Sequence, residues 1–134
     1  MIEKKDLILR EIQRLTLLIK ELITSVIDIE PEKIDAVVNQ IDDVLKVEFN
    51  LSLNDISELS NNDLLIKMHQ INEVHVDKLI LLLFQVIKKS DQASTFNKPE
   101  LIKKNILLIN YLDESSKVFS VDRMHMKSAL KQTL

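Results

Sequence analysis

The stretch Val76-Asp77-Lys78-Leu79-Ile80-Leu81-Leu82-Leu83-Phe84-Gln85-Val86-Ile87 decides the fold. Wound as a helix, Val76, Leu79, Ile80, Leu82, Leu83, Phe84, Val86 and Ile87 cover nearly every side of it. A helix that is apolar all round has no face for water and must lie at the centre of its fold. Its uncharged part, Leu79–Ile87, is less than half the ~20 residues of a membrane span, so the protein core is its expected surrounding. Asn72 is placed to cap a helix running from Glu73 to Lys89.

The elements around it follow from the same periodicity. Between about Lys5 and Ile27, Ile8, Ile12, Leu15, Ile19, Leu22 and Val26 recur at spacings of 4, 3, 4, 3 and 4, a heptad seam. Thr16, Leu18 and Ile23 widen that seam beyond what one neighbouring helix covers, which makes Leu15, Leu18, Leu22 and Ile23 the candidate protein interface. Pro31 opens a second helix to about Glu48, with the stripe Ile34, Val37, Val38, Ile41, Val44 and Leu45. Phe49 to Asn54 breaks the period, and Asp55–Leu59 forms a single short turn. Ser60 with Asp63 starts a short helix bearing Leu64, Leu65, Met68 and Ile71. Asp91–Asn97 reads as a loop, and Asn97 with Pro99 opens a helix to about Asp113. Ser120 caps a last helix, with Phe119 and Met124 at the two positions of a hydrophobic staple.

These elements make one all-α domain over residues 1–134, an irregular antiparallel bundle or short tetratricopeptide-like array of about five main helices. The chain has no glycine, against about 7% in an ordinary protein. That removes the phosphate-cradling loops, the dinucleotide fingerprint and the nucleophile elbow, and leaves the turns to Asn, Ser and Pro. Having no cysteine excludes disulfides, thiolate metal sites and thiol nucleophiles, and fits a reducing cytoplasm. Met1–Asp6 leads directly into an amphipathic pattern, so no signal peptide is expected there. Aromatic residues make up 4%, which leaves few platforms for stacking bases or sugars.

Net charge is −3, unevenly spread. Residues 28–77 hold three basic and twelve acidic side chains, whereas residues 78–134 hold ten basic and five acidic. The two regions are expected to complement each other within the fold or between subunits.

The segment Leu112-Asp113-Glu114-Ser115-Ser116-Lys117-Val118-Phe119-Ser120-Val121-Asp122-Arg123 resembles the closing segment of some small bacterial helical proteins of unknown function. In these an acidic helix end leads through Ser-Lys and an aromatic-Ser pair into a terminal helix. The resemblance implies a tetratricopeptide-like packing and no activity, and the Trp, Gly and Tyr positions of a tetratricopeptide unit are missing here.

Few residues suggest chemistry. His69, Glu73 and His75 fall within seven residues, but the spacing of a helical zinc site is absent, and a polar face beside a helix boundary accounts for them. Asp122 and His125 share a helical face without the second copy a di-iron bundle needs. Met124, His125 and Met126 diverge by ~100° per residue and cannot converge on one soft ion. Asp42 with Asp43, and Ser115 with Ser116, lack a partner acid or base. No cofactor, metal, catalytic residue or small-molecule substrate is therefore expected. Lys117, Arg123, Lys127 and Lys131 form a candidate basic surface, with nucleic acid as its ligand. A sequence pI of 5.6 and the six-residue connection before the last helix argue against that ligand. The expected function is a non-catalytic protein-interaction module that self-associates through its first helix, with a homodimer or another protein as partner. A nucleic-acid-associated regulator and a metal-dependent enzyme are the alternatives.

Overall fold

The computed structural model describes residues 2–90 and 96–134. The expected loop at Asp91–Asn97 lies, except for Phe96 and Asn97, outside the described residues. Among the described residues there are seven α-helices: α1 (Ile2–Ile27), α2 (Ile34–Phe49), α3 (Leu53–Glu58), α4 (Asn61–His69), α5 (Glu73–Lys89), α6 (Lys98–Ser116) and α7 (Val121–Gln132). The chain is all-α. The count exceeds five because the segment between α2 and α5 holds two short helices, each with its own cap. Ser52 Oγ accepts from Asp55 N–H and Asp55 Oδ2 accepts from Ser52 N–H, a reciprocal capping box that starts α3 two residues before the expected turn. Ser60 Oγ accepts from Asp63 N–H to start α4. Pro31 opens a one-turn 3₁₀ segment, Pro31–Lys33, and α2 begins only after it.

Asn72, Asn97 and Ser120 cap α5, α6 and α7 through their side-chain oxygens, as the sequence pattern predicts. Without glycine, two of the described residues take the left-handed conformation that ends a helix: Asn50 after α2 and Lys117 after α6, both at φ 56°. Asn tolerates that region because its short polar side chain bonds locally, whereas a lysine there is uncommon. Helix α6 consequently continues three residues beyond Asp113.

At the centre, α5 buries Val76, Leu79, Ile80, Leu82, Leu83, Val86 and Ile87, and it packs most extensively against α1 and α6. Ile19, Leu22, Ile23 and Val26 supply the buried part of α1, and Ile34, Val38, Ile41 and Leu45 that of α2. Each Leu or Ile fully withdrawn from water contributes about 1.5–3 kcal/mol before chain entropy is set against it. Helix α6 adds Leu101, Ile102, Leu108, Ile109 and Leu112, and α7 adds Met126 and Leu130. Phe119 and Met124 occupy the staple positions of α7, yet both stay largely exposed, at 74% and 47%. The core also holds Asn105, whose Nδ2 donates to the Ile80 carbonyl at 3.2 Å. Among the described residues, no helix is long and apolar enough to cross a membrane.

Candidate functional site

Two contacts locate the end of the folded body along α1. His75, in the first turn of α5, is buried, and its Nε2 lies 3.0 Å from the Ile12 carbonyl oxygen. Since that oxygen only accepts, His75 donates from Nε2. On the other side Arg14 joins α1 to the last turn of α2. Its Nη1 and Nη2 donate to Glu48 Oε1 and Oε2 at 3.0 and 2.9 Å, and its Nε and Nη2 also donate to the Glu11 carboxylate. Such forked pairing fixes orientation as well as distance. The Arg14 hydrogen bonds hold the Glu11 carboxyl below the usual carboxylate range. Both Arg14 and Glu11 remain largely exposed, so the stabilisation is modest.

N-terminal to these ties, every residue from Lys4 to Glu11 is exposed. Leu7 is 62% exposed and Ile8 and Leu9 are each 55% exposed. Ile12, Leu15 and Leu18 are half-buried, and full burial begins at Ile19. The heptad seam thus runs beyond its covering helices: its second half packs on the body, while its first half projects as an overhang of about ten residues, or ~15 Å. A cleft of 460 Å³ opens at the foot of the overhang, lined in part by Leu15, Val47, Glu48, Phe49, Ile71 and His75. Val47, on this cleft, is 81% exposed.

Measured against this geometry, the candidate interface divides. Leu22 and Ile23 are core residues, because the second half of α1 lies within the bundle and the widened seam is covered there by this chain itself. Leu15 and Leu18 sit at the transition. On α1 the exposed apolar residues are instead Leu7, Ile8, Leu9 and Leu17, with Ile27 at its end. Sequence periodicity includes Ile8 in the seam but cannot say where the covering helices stop. The only available signal was the run Leu7-Ile8-Leu9, which spreads apolar surface across a wide arc beside Lys4, Lys5 and Arg10.

The basic surface also divides. Lys117 and Lys131 are exposed and Lys127 half-buried, but Arg123 is buried at 6% exposure. Its Nε donates to Asp113 Oδ1 at 2.7 Å, its Nη1 to Asp77 Oδ1 at 3.0 Å and its Nη2 to the Val118 carbonyl at 2.8 Å. Burial lowers the Arg123 pKa, but the bonds to Asp113 and Asp77 outweigh it and leave the guanidinium above its ordinary value. Arg123 is a structural tie among α5, α6 and α7 and offers no charge to a phosphate backbone. Its helical spacing to Lys127 and Lys131 suggested a ridge because spacing alone is blind to partners from other helices.

The other candidates are dispersed. His69 ends α4, where its Nδ1 lies 3.3 Å from the Tyr111 hydroxyl with the rings edge to face, while His75 is buried on Ile12. Asp122 and His125 are exposed on α7, and Met126 is buried apart from Met124. No group of three His, Asp or Glu among the described residues is arranged to hold a metal ion. Asp42 Oδ1 accepts from Leu53 N–H at 2.8 Å and so serves the start of α3. Ser115 Oγ donates to the Leu112 carbonyl and Ser116 Oγ accepts from Val118 N–H, which places both hydroxyls in the end of α6. No protein-family model, curated protein or solved structure matches the chain.

Proposed function

We propose that this protein is a non-catalytic protein-interaction module that self-associates through the N-terminal half of α1. The observation that carries this reading is the heptad seam that outruns its own bundle, leaving Leu7, Ile8 and Leu9 exposed together. The overhang continues the packed half of α1, and its exposed apolar side chains gain from being withdrawn from water. A heptad spacing is the pattern that packs against another helix. Association costs roughly 4–15 kcal/mol in lost freedom. Covering Ile8 and Leu9 together with the still exposed parts of Ile12 and Leu15 on two copies, at about 1.5–3 kcal/mol for each full burial and less for the half-buried pair, is of the order that offsets it.

The test is size-exclusion chromatography with light scattering across a range of protein concentrations. The wild-type chain is expected to run above the 15.5 kDa of a single chain. The double variant Ile8→Glu, Leu9→Glu is expected to run as a monomer with an unchanged helical signal per residue, and with a melting midpoint that no longer rises with protein concentration. A wild-type chain that stays monomeric at every concentration, or a variant that associates equally well, overturns the reading.

A further inference from the structure

We infer that the space between the end of α5, the start of α6 and the end of α7 is a binding site for an aliphatic carboxylate, its chain lying against α5 and α7 and its head held by Lys88 and Lys98. This goes beyond self-association and does not depend on it, since no residue of the site lies on α1.

The site is built from three helix ends. Phe84 and Ile87 of α5, with Ala129 and Leu130 of α7, line a cavity of 390 Å³ that Lys88, Lys98 and Thr133 also line. A second cavity, of 420 Å³, shares Lys98 and Thr133 with the first and is lined further by Phe96, Pro99 and Ile102. Small-molecule pockets span about 300–1,000 Å³ and combine mostly apolar walls with a few polar groups, as here. No sequence motif announces the site, because its walls come from separate helices.

Charge selects the head group. No acidic side chain among the described residues lines either cavity. Among the described residues neither Lys88 nor Lys98 is paired with a carboxylate. Lys98, half-buried, donates to the Ser90 carbonyl at 2.7 Å, which fixes its ammonium and leaves two hydrogens to donate. Lys88 Nζ lies 5.4 Å from the centre of the Phe84 ring, a wall of the same cavity. Thr133 Oγ1 donates to the Leu130 carbonyl, so the hydrogens left for an anion between α5 and α7 are those of the two lysines. Cations at the end of α5 also suit its dipole, which accounts for Lys88 but not for the apolar walls beside it. A molecule that answers both is a saturated chain, withdrawn from water by Ile87, Ala129 and Leu130, ending in a single negative charge.

The test titrates decanoate, below the concentration at which it self-aggregates, into the full chain. Affinity is read by calorimetry, and the residues perturbed are read by NMR of the ¹⁵N-labelled protein. One decanoate per chain is expected, with the largest shifts at Ile87, Lys98, Ala129 and Leu130. Butanoate, which lacks most of the chain, and decanol, which lacks the charge, are each expected to bind at least about tenfold more weakly. Lys88→Met, at an exposed position, is expected to weaken decanoate about tenfold with an unchanged helical signal. Ala129→Phe keeps both lysines and fills the cavity, and is expected to abolish binding. Absence of saturable binding overturns the inference, as does decanol binding as tightly as decanoate, or unchanged affinity in either variant. Shifts centred on Leu7, Ile8 and Leu9 would show decanoate coating the overhang and overturn it equally. If either variant loses helical signal, Lys98→Met and Ala129→Leu take their places with the same expected and overturning outcomes.

Discussion

Arg123 Nε, buried at the start of α7, donates to Asp113 Oδ1 near the end of α6 at 2.7 Å. With Asp77 on α5 as its second carboxylate, this side chain joins three helices. Helix α7 otherwise buries only Met126 and Leu130 among its apolar residues, so its docking depends on the arginine to an unusual degree. Arg123→Ala leaves two carboxylates without their cation. Both are about two-fifths exposed and recover water, which reduces the penalty. The expected loss is about 2 kcal/mol, less than for a fully buried pair, and is read from urea denaturation. Arg123→Lys is expected to recover less than half of that loss, because an ammonium cannot reproduce the fork to two carboxylates and a carbonyl. Full recovery by lysine would show that charge alone matters.

Lys117 holds a left-handed conformation that suits glycine better. Lys117→Gly is expected to raise stability by about 0.5–1 kcal/mol, the strain relieved being partly offset by the greater freedom of glycine in the unfolded chain. Asn50→Ala, at the matching position after α2, is expected to lower stability by about 1 kcal/mol. Thermal midpoints of the two variants moving in the same direction would contradict this account of the helix ends.

Burial pushes the Asp42 carboxyl above its ordinary value, against the opposing hydrogen bond from Leu53 N–H, and the neighbouring Asp43 and Asp55 push it the same way. The folded state therefore holds this proton to a higher pH than the unfolded chain does. Stability contributed by Asp42 falls as pH rises from about 4 through its raised folded value. Asp42→Asn removes the charge and keeps an acceptor for Leu53 N–H. The variant is expected to exceed the wild type in stability at about pH 7, with the difference gone at about pH 3. Asp55 behaves in the opposite sense: the Lys46 ammonium first, then Ser52 N–H, hold its carboxyl low. Its contribution is present above about pH 4 and is lost as pH falls through its lowered folded value. Urea titrations at several pH values separate the two.

Ile23→Ala tests the division of α1 into body and overhang. The residue is buried in the core, and its truncation is expected to cost about 2–4 kcal/mol. Below the melting transition, association of the variant is expected to equal that of the wild type. Loss of association in a chain that keeps its helical signal would place the interface at Ile23 and not at Ile8.

What the sequence by itself determined is local and periodic. The run Val76–Ile87 identified the central helix, because a helix apolar on nearly every side has little surface to give to water. Asn72, Asn97, Ser60 and Ser120 announced four helix starts, because a cap bonds to backbone only two or three residues away. The heptad seam of α1 was equally legible as far as its spacing. Its extent of cover was not, because whether Ile8 or Ile23 faces a neighbour depends on where α2 and α5 end in space, and no periodicity within α1 records that. Arg123 was misplaced for the same reason: its partners Asp77 and Asp113 stand 46 and 10 residues away and meet it only when α5, α6 and α7 pack. Helices and caps come from contacts within a few residues of one another. Which side chains are withdrawn, which are paired and which stay exposed is decided by contacts between distant segments, and these exist only in the folded chain.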